Sequence, residues 1–483
     1  MNIEHQKTIE ILKWFEEINK IPRGSGNEAQ IGEWMINWAK SHNLEGKKDK
    51  KGNVIINVPA SAGYEKSSPV VIQGHLDMVC EKSPDSPHDF LKDPIRFVYD
   101  GEWLKADKTT LGADNGIAMA MGMTAALDKN LEHPPLELLF TVEEETSLDG
   151  ADALAPDCIV GRRLLNIDSE KEGVFTIGSA GGEKGQHTFK PTFEPIPGGF
   201  VPISIEVGGL AGGHSADIQL EKANALKILA RILDAILKTI EARLVHIKGG
   251  SADNAIPRDS EAIIYIPSDD VKKAESIVAN YLPILREEFK NTDPEIKIIT
   301  KLLTDRTDKK AIDLKDTRQI ITLFLALPHG IYAMSTEIEH FVETSNNFAS
   351  TKLEGEELHF ITSQRSPSDS RLDDVTKRIS SVVSLAGGTT KVSGRYLGWK
   401  ANKESALLKI SSAVYEKIAG VQPIVETTHG GLECGVFSDK FPGIDMISFG
   451  PTIKDPHSPE ERIFIPSIGR VWDFFALLLK ELK

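Results

Sequence analysis

Hydrophobic and polar positions separate helices from strands along residues 1–185. Apolar residues recur at helical spacing over Thr8–Ile18 and Glu28–Ser41, and the Ala- and Met-rich run Gly116–Leu127 predicts a third helix. Short, mostly apolar runs predict strands over Asn53–Val58, Pro69–Gln73, Leu136–Val142 and Leu164–Ile167. Such alternation favours an α/β architecture, a mixed sheet with helices on both faces.

The pattern changes over residues 186–396, where strand-like runs alternate with long amphipathic helices. The predicted strands are Val201–Val207, Glu261–Ile266, Ile296–Leu302 and Glu357–Thr362. The predicted helices are Asn224–Leu237, Val271–Phe289, Lys315–Leu327 and Asp373–Ala386. We expect an inserted α+β lid or dimerisation domain. The segments Gly209–Gly213 and Leu385–Gly388 are similar in sequence, and this short similarity leaves open whether the domain has two similar halves.

Two changes of pattern set the domain boundaries. The glycine-rich segment Gly178–Gly185 lacks the Lys-Ser/Thr ending of a phosphate loop, so we interpret it as a hinge. After Trp399 the α/β pattern returns, with elements predicted at Ser405–Ile418, Asp445–Phe449 and Ile468–Leu482. The prediction is a catalytic domain in two segments, residues 1–185 and 397–483, interrupted by the insertion at 186–396.

Composition narrows the classes of function. The formal net charge is −15 over 483 residues, and such an acidic chain repels nucleic acid and anionic membranes. Cys80, Cys158 and Cys434 are odd in number and widely spaced, which argues for a reducing compartment rather than a disulfide framework. The N-terminal residues lack the pattern of a secretory signal. We therefore expect a cytoplasmic protein.

Acidic and histidine-bearing motifs follow the predicted strands. They are Gln73–Asp77, Glu143–Glu145, Asp168–Glu170 and His457. In open α/β sheets, ligands gather outside the carboxyl ends of the strands. A fifth motif, Leu111–Gly116, precedes the Ala/Met helix, where the helix dipole favours an ionised carboxylate.

Each motif alone has a plain structural interpretation: a solvated strand end, a charge run, a helix N-cap or a lone loop histidine. Together, two histidines and three carboxylates suit zinc better than calcium, with manganese or cobalt as alternatives. Two metals about 3.5–4 Å apart need a bridging carboxylate, and hydrolysis needs a spare carboxylate as general base. The motifs supply both.

These motifs resemble the co-catalytic zinc peptidases related to carboxypeptidase G and the aminoacylases, and in particular their aminoacyl-histidine (Xaa-His, carnosinase-like) dipeptidase branch. The likeness runs over nearly the whole chain. It is carried by Gly74–Val79, Gly112–Gly116, Glu143–Glu145, Asn166–Glu170, Gly450–Thr452 and His457–Pro459, and further by His88–Phe90, Lys92–Ile95, Asp100–Trp103, Gly212–Ser215, Asn254–Arg258 and Gly431–Gly435.

The resemblance implies two divalent metal ions. One would be bound by His75, Asp114 and Asp168. The other would be bound by Asp114, Glu145 and His457, so that Asp114 bridges the pair. The family also has a cis peptide bond after the bridging aspartate, which here is the bond between Asp114 and Asn115.

Further catalytic roles follow from the same resemblance. Glu144 would be the general base and then the general acid, and Asp77 would orient His75. The dipeptidases that this chain resembles carry Thr-Glu-Glu-Ala-Gly where this chain has Glu143-Glu144-Glu145-Thr146-Ser147. Counting back from Gly150 selects Glu144 as the base rather than Glu143.

The resemblance assigns substrate contacts to the insertion. His214 would polarise the scissile carbonyl, while Asn254 and Arg365 would hold the terminal carboxylate of the substrate. Without the resemblance, His214 would be interpreted as a turn residue and Arg365 as a surface strand residue. In many relatives the insertion forms a homodimer, and whether His214 serves its own or a neighbouring subunit stays open.

The predicted function is hydrolysis of dipeptides, Xaa-His dipeptides in particular, by water held between two metals. An N-acyl amino acid hydrolase of the same superfamily is one alternative. A non-catalytic metal-binding scaffold is the other.

Overall fold

The computed structural model describes residues 4–336, 338 and 341–483. Its contacts divide the chain into two compact units, the first formed by 1–179, 399–428 and 432–483, and the second by 180–398 and 429–431. Both units combine helices with β-sheets, and the predicted mixed α/β fold is confirmed. No helix in the described part of the chain is long and apolar enough to cross a membrane.

The first unit is built on a mixed sheet. In spatial order its strands are Glu45–Lys48, Val54–Val58, Leu136–Thr141, Val70–His75, Arg163–Asn166, Asp445–Ser448, Val174–Ser179 and Ile424–Thr428. A smaller sheet contains Ile453–Lys454, Arg462–Phe464, Trp103–Ala106 and Phe97–Asp100. The helices of this unit are Gln6–Ile18, Ala29–Ser41, Ala113–Leu127, Asp149–Ala153, Ala406–Ala419, Glu433–Lys440 and Ile465–Glu481.

Three neighbouring strands of this sheet run parallel and end at one edge. Val70–His75 lies between Leu136–Thr141 and Arg163–Asn166, with His75 opposite Thr141 and Gln73 opposite Asn166. Each of these strands is followed directly by one of the acidic or histidine-bearing motifs. The parallel register therefore brings together motifs that are far apart in sequence.

The helix Ala113–Leu127 is buried along almost its whole length, which explains its small and flexible side chains. It packs on the strand Val70–His75 so closely that a Cβ at Gly74 would lie 2.6 Å from the Cβ of Ala118 and 2.2 Å from Oδ1 of Asn115. Glycine at position 74 is thus required for the start of this helix to approach the sheet.

The second unit is an antiparallel sheet with helices packed against it. In spatial order the strands are Lys297–Leu302, Phe200–Gly208, Ser260–Pro267, Arg243–Gly249, Val342–Glu354, Glu357–Ser366, Gly181–Phe189 and Thr389–Tyr396, with Gly330–Met334 beside Val342–Glu354. Shorter strands pair Phe193–Pro195 with Lys310–Ile312 and Gly213–His214 with Ala255–Ile256. The helices are Ala225–Leu237, Val271–Glu288, Leu314–Ala326 and Asp369–Leu385, and they share a separate hydrophobic core with this sheet.

The glycine-rich segment Gly178–Gly185, interpreted above as a hinge, is β-structure. Gly178 ends the strand Val174–Ser179, and the next strand begins at Gly181 after Ala180 alone. A Cβ at Gly181 would lie 2.5 Å from the backbone nitrogen of Gly398, so the glycines permit close strand packing. The predicted boundaries lay at 185/186 and 396/397, whereas the contacts change unit at 179/180 and 398/399.

The two similar glycine-containing segments, Gly209–Gly213 and Leu385–Gly388, lie in different structural settings. Gly209–Gly213 connects the end of a strand to the short strand Gly213–His214, whereas Leu385 ends a helix and Gly388 precedes the strand Thr389–Tyr396. The similarity therefore does not mark equivalent parts of a repeat. The proposal of two similar halves stays a prediction.

Buried His187 in the second unit predicts a pH dependence of stability. Its ring nitrogens lie 2.9 Å from the hydroxyls of Thr362 and Thr390, and burial lowers its pKa from 6.5 to about 4. The unfolded chain therefore binds more protons than the folded chain between about pH 6.5 and pH 4. Stability should fall as pH falls through this window, by up to about 3 kcal/mol from this group.

Urea unfolding at pH 7 and pH 5 measures this effect. We expect His187→Gln to lose less stability on acidification than the wild type, because the substituted side chain does not titrate. His359→Gln, which changes an exposed histidine on a paired strand, is the control. Equal losses in the wild type and His187→Gln would contradict the prediction.

Candidate metal-dependent active site

His75 and Asp77 belong to the candidate site and lie where the parallel strands of the first unit's sheet end. His75 is the last residue of its strand, and both side chains are buried. Nδ1 of His75 lies 3.3 Å from Oδ1 of Asp77 and 3.1 Å from its backbone oxygen, which leaves Nε2 facing the other acidic groups. This is the arrangement in which a carboxylate orients a metal-binding histidine.

Asp77 also organises the loop of three glutamates. Its Oδ1 accepts a hydrogen bond from the backbone N–H of Glu144 at 3.1 Å, and its Oδ2 accepts one from Glu145 at 3.2 Å. The hydroxyl of Ser25 donates a further bond to Oδ2 at 2.7 Å. Asp77 thus joins the strand end that carries His75 to the loop that carries Glu144 and Glu145.

Asp114 lies at the start of the buried helix, and the peptide bond between Asp114 and Asn115 is cis, as predicted. The Asn115 side chain accepts a hydrogen bond from the backbone N–H of His75 and donates one to the backbone oxygen of Ile167, at 3.2 and 2.6 Å. It therefore ties the helix to two neighbouring strand ends. Those strand ends carry His75 and lead to Asp168.

The predicted metal ligands meet in two groups that share Asp114. In the first, Nε2 of His75 lies 3.0 Å from Oδ1 of Asp114 and 3.6 Å from Oδ1 of Asp168. In the second, Nε2 of His457 lies 3.2 Å from Oδ2 of Asp114 and 3.0 Å from Oε2 of Glu145. Within each group the candidate ligand atoms lie within 4.8 Å of one another.

The electrostatics of this cluster favour a cation. Burial, together with the neighbouring charges of Asp168 and Glu145, raises the pKa of Glu144 well above its usual value. Burial alone would lower the pKa of His457, but hydrogen bonds to Asp114 and Glu145 raise it to about 11. The carboxylates thus repel one another and attract protons, and a bound cation would relieve the same repulsion.

The residues present fit a pair of divalent transition metals. Two imidazoles and three carboxylates are suitable donors, and each oxygen of Asp114 faces a different histidine. In addition, Oε1 of Glu145 is buried and has no hydrogen-bond partner among the described residues. A buried carboxylate oxygen of this kind is costly unless a ligand satisfies it.

The structure separates the three adjacent glutamates. Oε2 of Glu143 lies 2.9 Å from Nζ of Lys51, so this carboxylate is already paired. Glu145 contacts His457, and Glu144 remains as the neighbour of both His75 and Asp168 in the electrostatic cluster. Glu144 thus lies beside the ligand groups and can also form a group with His75 and Glu145, whereas Glu143 is paired with Lys51; the role of Glu144 as general base stays a prediction.

Sequence reasoning missed two buried charges beside this site. Arg23 donates hydrogen bonds to the backbone oxygens of Leu76, Asp77 and Gly112, and Glu461 accepts bonds from the backbone of the Leu111–Asp114 loop. Both are almost completely buried. In the sequence, Arg23 lies in a polar linker and Glu461 ends an acidic pair, and either pattern is typical of exposed residues.

The other predicted site residues lie in the second unit, where His214, Asn254 and Arg365 meet around Ser215. His214 pairs with Ala255 in a short two-stranded ladder, and the backbone oxygen of Asn254 accepts a bond from the Ser215 N–H at 2.7 Å. Nε of Arg365 donates to the Ser215 hydroxyl at 3.3 Å. The three residues therefore belong to one cluster.

Arg365 is a buried strand residue, not the surface residue that the pattern alone would suggest. Besides Ser215, its guanidinium donates to the hydroxyl of Tyr396 at 2.8 Å and to the backbone oxygen of His429 at 3.4 Å. Within the described residues these partners are all neutral. A buried guanidinium with neutral partners is a favourable site for an anion such as a carboxylate.

The chain is similar to known proteins over most of its length. Residues 71–481 match the model of peptidase family M20/M25/M40. A cytosol non-specific dipeptidase of Escherichia coli (strain K12) is 38% identical over 469 residues, which cover 97% of this chain and 96% of that protein.

Solved structures agree with this result. An aminoacylhistidine dipeptidase from Vibrio alginolyticus matches with a TM-score of 0.86 and 37% identity, covering 98% of this chain and 96% of that one. An aminopeptidase from Bacillus cereus, at 15% identity and a TM-score of 0.56, shares the fold. Because the family model spans most of the chain and the E. coli relative aligns over nearly all of it, the chain belongs to peptidase family M20/M25/M40, as its motifs predicted.

Proposed function

We propose that this peptidase is a two-metal dipeptidase that acts on Xaa-His dipeptides. The observation that carries the proposal is the pair of ligand groups sharing Asp114. His75 and Asp168 complete one group, and Glu145 and His457 complete the other. Two divalent ions would supply Lewis acidity at the scissile carbonyl and at the attacking water. We propose zinc for both, with manganese or cobalt as alternatives.

Glu144 is proposed to carry the proton through the reaction. Its carboxylate would take a proton from the attacking water and return it to the leaving amine. The backbone of Glu144 is fixed by its hydrogen bond to Asp77, the same residue that contacts His75. The base would therefore be positioned by the group that orients a metal ligand.

Arg365 is proposed to bind the free carboxylate at the C-terminus of the substrate. Its burial supports this role, because its hydrogen-bond partners among the described residues are all neutral and an entering carboxylate would pair with its charge. The roles of Asn254 at the same carboxylate and of His214 at the developing oxyanion rest on the family resemblance. A site of this kind selects short peptides with a free carboxyl end.

The preference for a C-terminal histidine is the finer part of the proposal. It rests on the likeness to the Vibrio alginolyticus aminoacylhistidine dipeptidase, whereas the similar E. coli relative is named for non-specific cleavage of dipeptides. An N-acyl amino acid hydrolase would also use Arg365. Hydrolysis of Xaa-His dipeptides faster than of other dipeptides and N-acyl amino acids distinguishes these possibilities.

We also infer a cytoplasmic location from the three free thiols and from the name of the E. coli relative. The predicted homodimer through the inserted domain stays a prediction. A metal-binding scaffold without catalysis would be recognised by a metal-loaded protein that is inert toward a broad panel of dipeptides.

Replacement of Glu144 tests the assigned base. We expect Glu144→Gln to lower kcat on an Xaa-His dipeptide by about 10²–10⁴-fold, because the amide cannot accept the proton of water. Glu143→Gln is the matched control, since Glu143 is paired with Lys51 and should leave kcat within about threefold of the wild type. Metal content of each protein is measured alongside the rates. Near-normal turnover by fully loaded Glu144→Gln would refute the mechanism.

Removal of the carboxylate contact tests Arg365. A charge-assisted hydrogen bond contributes about 1.5–3 kcal/mol, so Arg365→Met should raise KM for a dipeptide by about 10–150-fold. The wild type should discriminate against the same dipeptide with an amidated C-terminus, and Arg365→Met should lose that discrimination. Arg378→Met, on an exposed helix position, is the control. Unchanged discrimination in Arg365→Met would exclude the contact.

A further inference from the structure

Glu461 has an unusual set of contacts for a carboxylate outside the ligand groups. Its Oε2 accepts hydrogen bonds from the backbone N–H groups of Leu111 and Gly112, at 2.7 and 3.0 Å. Its Oε1 accepts bonds from Ala113 and Asp114, at 2.8 and 3.3 Å. One buried side chain thus satisfies every backbone donor of the loop that ends at the shared ligand Asp114.

Glu461 also belongs to the loop that carries His457, another ligand of the second group. It lies four residues after His457, and its own backbone N–H bonds the oxygen of Ser458 at 3.0 Å. The chain continues directly into the strand Arg462–Phe464, which pairs with Trp103–Ala106. The loop of Asp114 follows one of these paired strands, and the loop of His457 precedes the other. The side chain of Glu461 is a second connection between the two loops.

Arg23 holds the same loop through a backbone carbonyl group of the loop. The guanidinium donates to the backbone oxygen of Gly112 at 2.5 Å and to that of Asp77 at 2.8 Å. The loop is thus held at its N–H groups by Glu461 and at a carbonyl by Arg23. Arg23 connects this loop to Asp77, which lies beside His75, whereas Glu461 connects it to the loop of His457.

We propose that Glu461 is a positioning residue that sets His457 against Asp114 and thereby supports the second metal position selectively. This inference rests on the proposed two-metal site. The first group, His75, Asp114 and Asp168, is held in addition by Asn115 and Arg23. The approach of His457 to Asp114 is held by the strand pair and by the bridge through Glu461. Loss of that bridge should weaken one metal position more than the other.

The isosteric substitution Glu461→Gln removes the bridge at nearly constant volume. A glutamine offers one acceptor oxygen, and its NH₂ group would point donors at backbone donors, so part of the Leu111–Asp114 loop would lose its partners. Outer residues that orient metal ligands typically affect metal affinity by 10–100-fold. We expect an effect of about this size on one position only.

The experiment titrates metal-free full-length protein with Co²⁺ alone and follows visible absorbance and heat. The wild type should bind two ions. His457→Ala identifies which binding step belongs to the second position. Glu461→Gln should weaken that same step by about 10–100-fold and change the other by less than about threefold. Glu460→Gln, an exposed neighbour, should bind as the wild type does.

Each outcome is decisive. Unchanged binding by Glu461→Gln, or equal weakening of both steps, would overturn the inference. A wild type that binds fewer than two Co²⁺ ions would instead refute the proposed two-metal site, and this inference with it. Circular dichroism and the thermal midpoint of the metal-free proteins report folding. If Glu461→Gln does not fold, Glu461→Asp, which keeps the charge but shortens the reach, is judged by the same criteria.

Discussion

Mutual repulsion among partly buried carboxylates is the constraint on which the arrangement of the candidate site depends. Asp114 faces His75 with one oxygen and His457 with the other, and Asp168 and Glu145 lie beside these histidines. Desolvation makes such a concentration of negative charge costly. It is favourable only with compensating cations, which makes metal binding the natural explanation of the arrangement.

The surrounding backbone is held by polar groups that are not themselves metal ligands. Asp77 fixes the glutamate loop, Asn115 joins the helix to two strand ends, and Arg23 and Glu461 hold the loop before Asp114 from opposite sides. Removing one partner of a buried bond of this kind costs more than the bond itself contributes. The site therefore depends on a network of buried hydrogen bonds as much as on its ligands.

The second unit contains a buried positive charge at Arg365. Arg365 is buried among the hydroxyls of Ser215 and Tyr396 and the backbone of His429, without a charged partner in the described residues. A buried cation without a charged partner is a favourable site for an anion, which supports the substrate contact proposed for Arg365.

The sequence by itself determined the class of fold and the types of residue at the site. Alternating apolar periods predicted the mixed α/β fold, because burial of one face imposes the period of a helix or a strand. The motifs that contain His75, Asp114, Glu145 and Asp168 were recognisable because they follow or precede such elements directly, and the family resemblance selected the ligands within them. The motifs also identified the peptidase family.

Tertiary structure decided how these residues combine. His457 meets Asp114 across 343 positions because paired strands, and Glu461 between them, bring their loops together. The contact of Glu143 with Lys51 adds a tertiary reason for the choice of Glu144 that the sequence motif had made. Gly178–Gly185 was interpreted as a hinge from its glycines, and the tertiary structure shows that these glycines lie in β-structure where strands pack closely. The sequence pattern around Arg23 and Glu461 is typical of surface charges, yet both residues are buried. Local sequence does not predict this, because a buried charge depends on partners from distant segments.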